Sequence, residues 1–194
     1  MSSKKLIKAM IPVIALILII STFTGCGKSD QWESGAAKGS EAEKKEANLT
    51  DFKAKTLSGK TVTQDMFKDY DMTIVNVWET SCGYCVTEMP GLQQLNSELP
   101  DNVQLITICM DGKDETGLAK SITSNAGATF ETLIGNSQLE KNLIDKVSVA
   151  PTTYFVNNKG KVVGKPHVGA YDTDDPAEIA QKYKDELSVH LLEL

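Results

Sequence analysis

Residues 73–90 read TIVNVWETSCGYCVTEMP. An apolar, β-branched run leads into Cys82-Gly83-Tyr84-Cys85, and Glu88-Met89-Pro90 follows. The run before the cysteines, Met72 to Trp78, predicts a buried strand. The stretch from Cys82 to about Leu99 predicts a helix, broken or kinked at Pro90. Cysteines three residues apart on a first helical turn share a face, at a separation compatible with a disulfide. The amides of that turn have no intrahelical partners and carry a partial positive charge. Both favour thiolate over thiol, and the thiolate is the nucleophile. Cys82, nearer the helix end, is therefore expected to attack a substrate disulfide, and the more buried Cys85 to resolve the mixed disulfide. A CxxC between a strand and a helix is the setting in which the motif reads as redox-active.

The surrounding chain alternates strand and helix patterns. FKAKTL and KTVT, separated by Ser58-Gly59, predict a small hairpin. VQLITICM is a second buried strand, and ETGLAKSITSNAG has helical spacing ending at Gly127. SQLEKNLIDKV predicts a helix whose Ser137 and Glu140 fit a capping box. TTYFVNNKGKVVGKPHVG predicts two strands around a turn at Asn157 to Gly160. DPAEIAQKYKDEL predicts a closing helix with Asp175 as N-cap and Pro176 at the first helical position. The expected fold class is α/β: a central mixed β-sheet flanked by helices, with an N-terminal β-hairpin extension.

The N-terminus bears on compartment. Lys4, Lys5 and Lys8 precede an almost wholly apolar run from Met10 to Ile20, short for a membrane span and laid out as a signal peptide. Phe23-Thr24-Gly25-Cys26 resembles the lipobox of bacterial lipoproteins, in which the cysteine receives the lipid. That resemblance implies a lipoprotein signal over 1–25 and a palmitate-type anchor at Cys26, with two acyl chains giving stable attachment. An ordinary secretory signal or an uncleaved anchor would export the domain equally, to where disulfides persist. Residues 26–48 are small, charged and polar apart from Trp32, as expected of a flexible tether. The redox domain is expected over 49–194, long enough for one buried core. Loss of residues 1–25 leaves 17 lysines against 26 acidic residues, a net charge of −9, which argues against nucleic acid as a partner.

VNVWETSCGYCVTEMP resembles the active-site segment of thioredoxin-fold proteins, and among them the membrane-anchored TlpA/ResA-like thiol-disulfide oxidoreductases. Asn76, Trp78, Cys82, Cys85, Glu88, Met89 and Pro90 match the pattern of that family. VSVAPTTYFVNNKGKVV, beginning at Val147, resembles its second signature, a cis-proline followed by a strand and a glycine turn. The resemblance implies a thioredoxin-like fold over roughly residues 49–187. It implies catalytic roles for Cys82, Cys85, Glu88 and Pro151, and substrate contacts at Trp78, Gly83, Tyr84 and Ala150. It implies a monomer on the extracytoplasmic face of the bacterial membrane, acting on exported protein substrates, with a membrane electron donor of the thiol-relay type. No cofactor beyond the Cys82–Cys85 disulfide is implied. Two features depart from the pattern: Ser81 stands where most relatives have tryptophan, and the dipeptide between the cysteines is Gly83-Tyr84. Asn76, which matches the family, stands where thioredoxin itself has a buried aspartate.

Other functions compete. A zinc site would need Cys82, Cys85, Cys109 and His167 drawn from three distant segments. A thiol peroxidase of the peroxiredoxin type shares the fold, but its reacting thiolate needs an arginine, and this chain has none. A non-catalytic binding lipoprotein would have no use for a one-turn cysteine pair. Cys109, at the end of an apolar strand, reads as a small buried hydrophobe.

Overall fold

The computed structural model describes residues 46–194. The expected signal, the expected lipid-bearing Cys26 and nearly all of the expected tether lie outside them. Asn48 is already tied to the domain: its amide donates to the Asn142 carbonyl at 3.1 Å, and it bridges Lys161.

The hairpin forms as expected, with β1 (Lys53–Lys55) antiparallel to β2 (Thr61–Thr63). The central sheet contains β3 (Met72–Trp78), β4 (Val103–Cys109), β5 (Glu131–Ile134), β6 (Thr152–Asn157) and β7 (His167–Val168), in the order β5-β4-β3-β6-β7. β3 and β4 run parallel, as do β4 and β5, whereas β6 is antiparallel to β3 and β7 to β6. The helices are α1 (Gly83–Glu98), α2 (Thr116–Asn125), α3 (Ser137–Asn142) and α4 (Pro176–Leu191). This is a thioredoxin-like α/β fold with a mixed sheet between helices.

Every residue of β3 is buried, because both faces of the sheet are covered. Side chains alternate across the strand. Met72, Ile74 and Trp78 pack with Met89, Leu92 and Leu95 of α1 and Ile179, Tyr183 and Leu187 of α4. Val75 and Val77 pack in a second core with Phe52, Phe67, Leu139 and Tyr154. Asn76, between Ile74 and Trp78 on their face, is thereby aimed at α1. The two helices on that face touch closely at Gly91, where an added Cβ would stand 2.6 Å from Ile179 Cβ.

Four local expectations are corrected. Pro90 does not break α1, which continues through it to Glu98. A proline removes one amide donor, here the partner of the Val86 carbonyl, and burial of Met89, Leu92 and Leu95 around it outweighs that loss. The cap of α3 is Asn136, whose side-chain oxygen accepts from the amides of Gln138 and Leu139 at 3.0 and 3.1 Å. Ser137 is the first helical residue, and the helix ends at Asn142, before a separate 3-10 turn over Ile144–Lys146. The final hairpin is looser than expected, since Val162 makes only an isolated bridge to Val156 before β7. The edge strand β5 has no counterpart in the predicted elements. Its outer edge is covered by the N-terminal hairpin region: Thr56 bridges Leu133, and the Leu57 amide donates to the Thr132 carbonyl at 2.9 Å. An edge that would otherwise be free to pair with another chain is thus closed.

Candidate active site

β3 ends at Trp78, and a short loop delivers Cys82 to the start of α1. Cys82 is the N-cap of the helix, with extended backbone (φ −82°, ψ 104°), and its Sγ accepts from the Cys85 amide at 3.1 Å. The two cysteines are joined in a disulfide. Cys82 is partly exposed and Cys85 is 1% exposed.

The loop is clamped from the residues that follow β4. The Thr80 amide lies 3.1 Å from both carboxylate oxygens of Asp111, and the Thr80 hydroxyl donates to Asp111 Oδ2 at 2.5 Å. Burial alone would raise the Asp111 carboxyl, but hydrogen bonds from Thr80 and Cys109 outweigh it and hold the group below its ordinary range. Cys109, buried and free, donates to Asp111 at 3.2 Å. Burial, then the neighbouring Asp111, pushes its thiol well above the ordinary range, so Cys109 remains protonated and inert.

The expected site residues come together with one exception. The Ala150–Pro151 bond is cis, and the Ala150 carbonyl oxygen is 3.5 Å from Cys82 Sγ. Pro151 is buried and its carbonyl accepts from the Gly169 amide at 2.8 Å. Tyr84 is 75% exposed, and the space around Gly83 is open. Trp78 is the exception: it is 0% exposed, and its Nε1 donates to Thr107 Oγ1 at 3.2 Å. The side-chain alternation of β3 turns Trp78 into the core, so it supports the floor of the site and offers no surface to a substrate. His167 is held by Glu186 at 2.8 Å. Among the described residues, no three histidine, cysteine or acidic side chains are grouped to hold a metal.

Glu88 lies one turn below Cys85, 2% exposed. Its Oε2 accepts from Asn76 Nδ2 at 3.2 Å and its Oε1 from the Tyr183 hydroxyl at 2.5 Å. Burial raises its carboxyl to about 7, although the Tyr183 and Asn76 hydrogen bonds pull in the opposite direction. A carboxyl poised there can exchange protons with a thiol near neutral pH. Tyr183 and Asp111 were not among the expected site residues. A tyrosine within the apolar stripe Ile179-Ala180-Tyr183-Leu187 is the signal for the first, because a buried hydroxyl requires a partner.

The raised Glu88 carboxyl has a consequence for stability. Between pH 4.5 and about 7 the folded chain retains a proton that the unfolded chain releases. Stability therefore falls as pH rises through that window, by about 3 kcal/mol in total. Glu88→Gln cannot ionise and should lack this component. Urea denaturation at pH 5 and pH 8 should show the wild type losing about 2.5 kcal/mol more than the variant. Parallel pH dependences would mean that Glu88 is solvated.

The sequence pattern of the AhpC/TSA family matches residues 46–165. Thioredoxin-like protein YneN of Bacillus subtilis is 26% identical over 168 residues, covering 84% of this chain and 92% of that protein. A thiol:disulfide interchange protein DsbE homolog of Paracoccus denitrificans is 27% identical, covering 62% of this chain and 64% of its own length. Among solved structures, the exposed lipoprotein thioredoxin of Streptococcus pneumoniae superimposes with a TM-score of 0.55 at 22% identity, covering 70% of this chain and 98% of that one. The chain belongs to the AhpC/TSA family and has the thioredoxin-like fold of the DsbE- and ResA-type thiol-disulfide oxidoreductases that it resembles.

Proposed function

We propose that this chain is a lipid-anchored thiol-disulfide oxidoreductase on the extracytoplasmic face of a bacterial membrane. It passes electrons from Cys82 and Cys85 to disulfides of exported proteins and is re-reduced by a membrane donor of the thiol-relay type. One observation carries the reading: a partly exposed Cys82 at a helix N-terminus is paired with a buried Cys85 and faces the Ala150 carbonyl at 3.5 Å. In the reduced form, the Cys82 thiolate attacks a substrate disulfide. A Cys82–substrate bond forms, and the other substrate sulfur leaves as a thiolate. Cys85 gives its proton to the Glu88 carboxylate and attacks Cys82 Sγ. The Cys82–Cys85 disulfide forms, the second substrate sulfur is released, and two electrons have passed to the substrate. Ala150, Gly83 and Tyr84 frame the exposed sulfur and meet the substrate chain.

The anchor rests on the Phe23-Thr24-Gly25-Cys26 pattern and on the likeness to a solved protein described as an exposed lipoprotein. Among the described residues, no helix is long and apolar enough to cross a membrane. Cells expressing the wild type and fed a labelled fatty acid should incorporate label into the protein, and Cys26→Ala should incorporate none. Label retained in the variant would sink the anchor. The activity is tested separately, by reduction of a protein disulfide such as that of insulin. Binding of the protein without thiol turnover would favour a non-catalytic lipoprotein.

A further inference from the structure

The hydrogen bonds around Glu88 close into a ring drawn from four elements. Asn76 Nδ2 of β3 donates to Glu88 Oε2 at 3.2 Å and to Thr153 Oγ1 of β6 at 3.0 Å. Thr153 Oγ1 and the Tyr183 hydroxyl of α4 are 3.0 Å apart, and Tyr183 donates to Glu88 Oε1 at 2.5 Å. Because Tyr183 spends its proton on Glu88, the Thr153 hydroxyl must donate to Tyr183. Asn76 therefore reaches one carboxylate oxygen directly and the other through two hydroxyls. Donors in such a series polarise one another. All four side chains are buried, so water does not substitute for any member.

We propose that Tyr183 is a positioning residue of the redox site: with Thr153 and Asn76 it fixes the Glu88 carboxyl beneath the cysteines, so that Glu88, and not bulk water, takes the proton of Cys85. The inference rests on the exchange activity proposed above. Asn76 Oδ1 is buried and has no partner. The amide orientation observed, with Nδ2 toward Glu88, suits a carboxylate.

Few charges compete for control of Glu88. Cys85 lies above it on α1, and β3 and β6 contribute only the neutral Asn76 and Thr153. From α4 come Tyr183 and, farther out, Asp185 and Glu186. Tyr171, whose ring is 4.9 Å from that of Tyr183, and His167, 4.2 Å from Tyr171, complete the surroundings. Tyr183 is the only titratable group among these that hydrogen-bonds Glu88, and burial keeps its hydroxyl protonated, as a donor.

The test is Tyr183→Phe in the full-length protein, which keeps the ring and removes one hydroxyl. The Glu88 titration is followed by carboxyl carbon NMR in the oxidised state, and the rate of insulin-disulfide reduction is followed against pH. Glu88→Gln identifies the signal and the kinetic inflection that belong to Glu88. The Glu88 midpoint should rise by about one pH unit in Tyr183→Phe, and the exchange rate at pH 7 should fall about fivefold and recover at higher pH. A purely structural tyrosine would lower stability and move neither quantity. Either quantity unmoved in a folded Tyr183→Phe overturns the proposal. Should that variant not fold, Thr153→Val, which removes the donor to Tyr183, must move both in the same direction, and unmoved values there overturn it. If the wild type exchanges no disulfide at all, the functional reading fails, while the NMR midpoint still judges the ring.

Discussion

Cys85→Ser should halt the reaction at its midpoint. Cys82 retains the helix N-terminus and its exposed sulfur, so it still attacks a substrate disulfide. The position from which the mixed disulfide is resolved then holds a hydroxyl, a far weaker nucleophile than a thiolate. Covalent Cys82–substrate complexes should accumulate and separate as bands that collapse on reduction. Multiple-turnover insulin reduction should fall on the order of a thousandfold or more, the scale of losing one of two cooperating reactive groups. Cys82→Ser should be equally inactive and trap nothing, because buried Cys85 is 1% exposed and cannot meet a protein disulfide. Trapping by Cys82→Ser alone would reverse the two roles.

Trp78→Ala should cost about 3–5 kcal/mol of stability, the range for removing a large aromatic side chain from a core. Trp78 is fully buried in the core formed with α1 and α4, and its Nε1 donates to Thr107. The variant leaves a cavity under the redox loop and removes one partner of the Thr107 hydroxyl, which keeps Thr132 at 2.8 Å. Urea denaturation of the oxidised protein measures the loss. A variant as stable as wild type but with weakened substrate turnover would restore Trp78 as a substrate contact.

The contrast between those two residues shows what was legible in the sequence. Cys82 and Cys85 declare their chemistry by spacing and by position after a strand, both local properties. β3, β4, α1 and α4 were legible for the same reason, since apolar runs and caps such as Asp175 act within a few residues. β5 was not, because ETLI is a four-residue edge strand held in part by the distant hairpin. Trp78 is apolar and next to the site in sequence, and only the phase of the strand says that it turns inward. Tyr183 was out of reach for a different reason: it meets Glu88 across a separation of 95 residues, which no local pattern encodes. Asp111 likewise acts on Thr80 from 31 residues away.

Electron exchange between the Cys82–Cys85 pair and protein disulfides is measured by mixing the fully reduced full-length protein with an excess of a disulfide-bonded protein and counting thiols on both by mass-resolved alkylation. Cys82 and Cys85 should lose both their thiols together, the substrate should gain the same number, Cys109 should keep its thiol throughout, and Cys82→Ser should transfer none. Substrate thiols that fail to appear, or that appear equally with Cys82→Ser, would contradict that exchange.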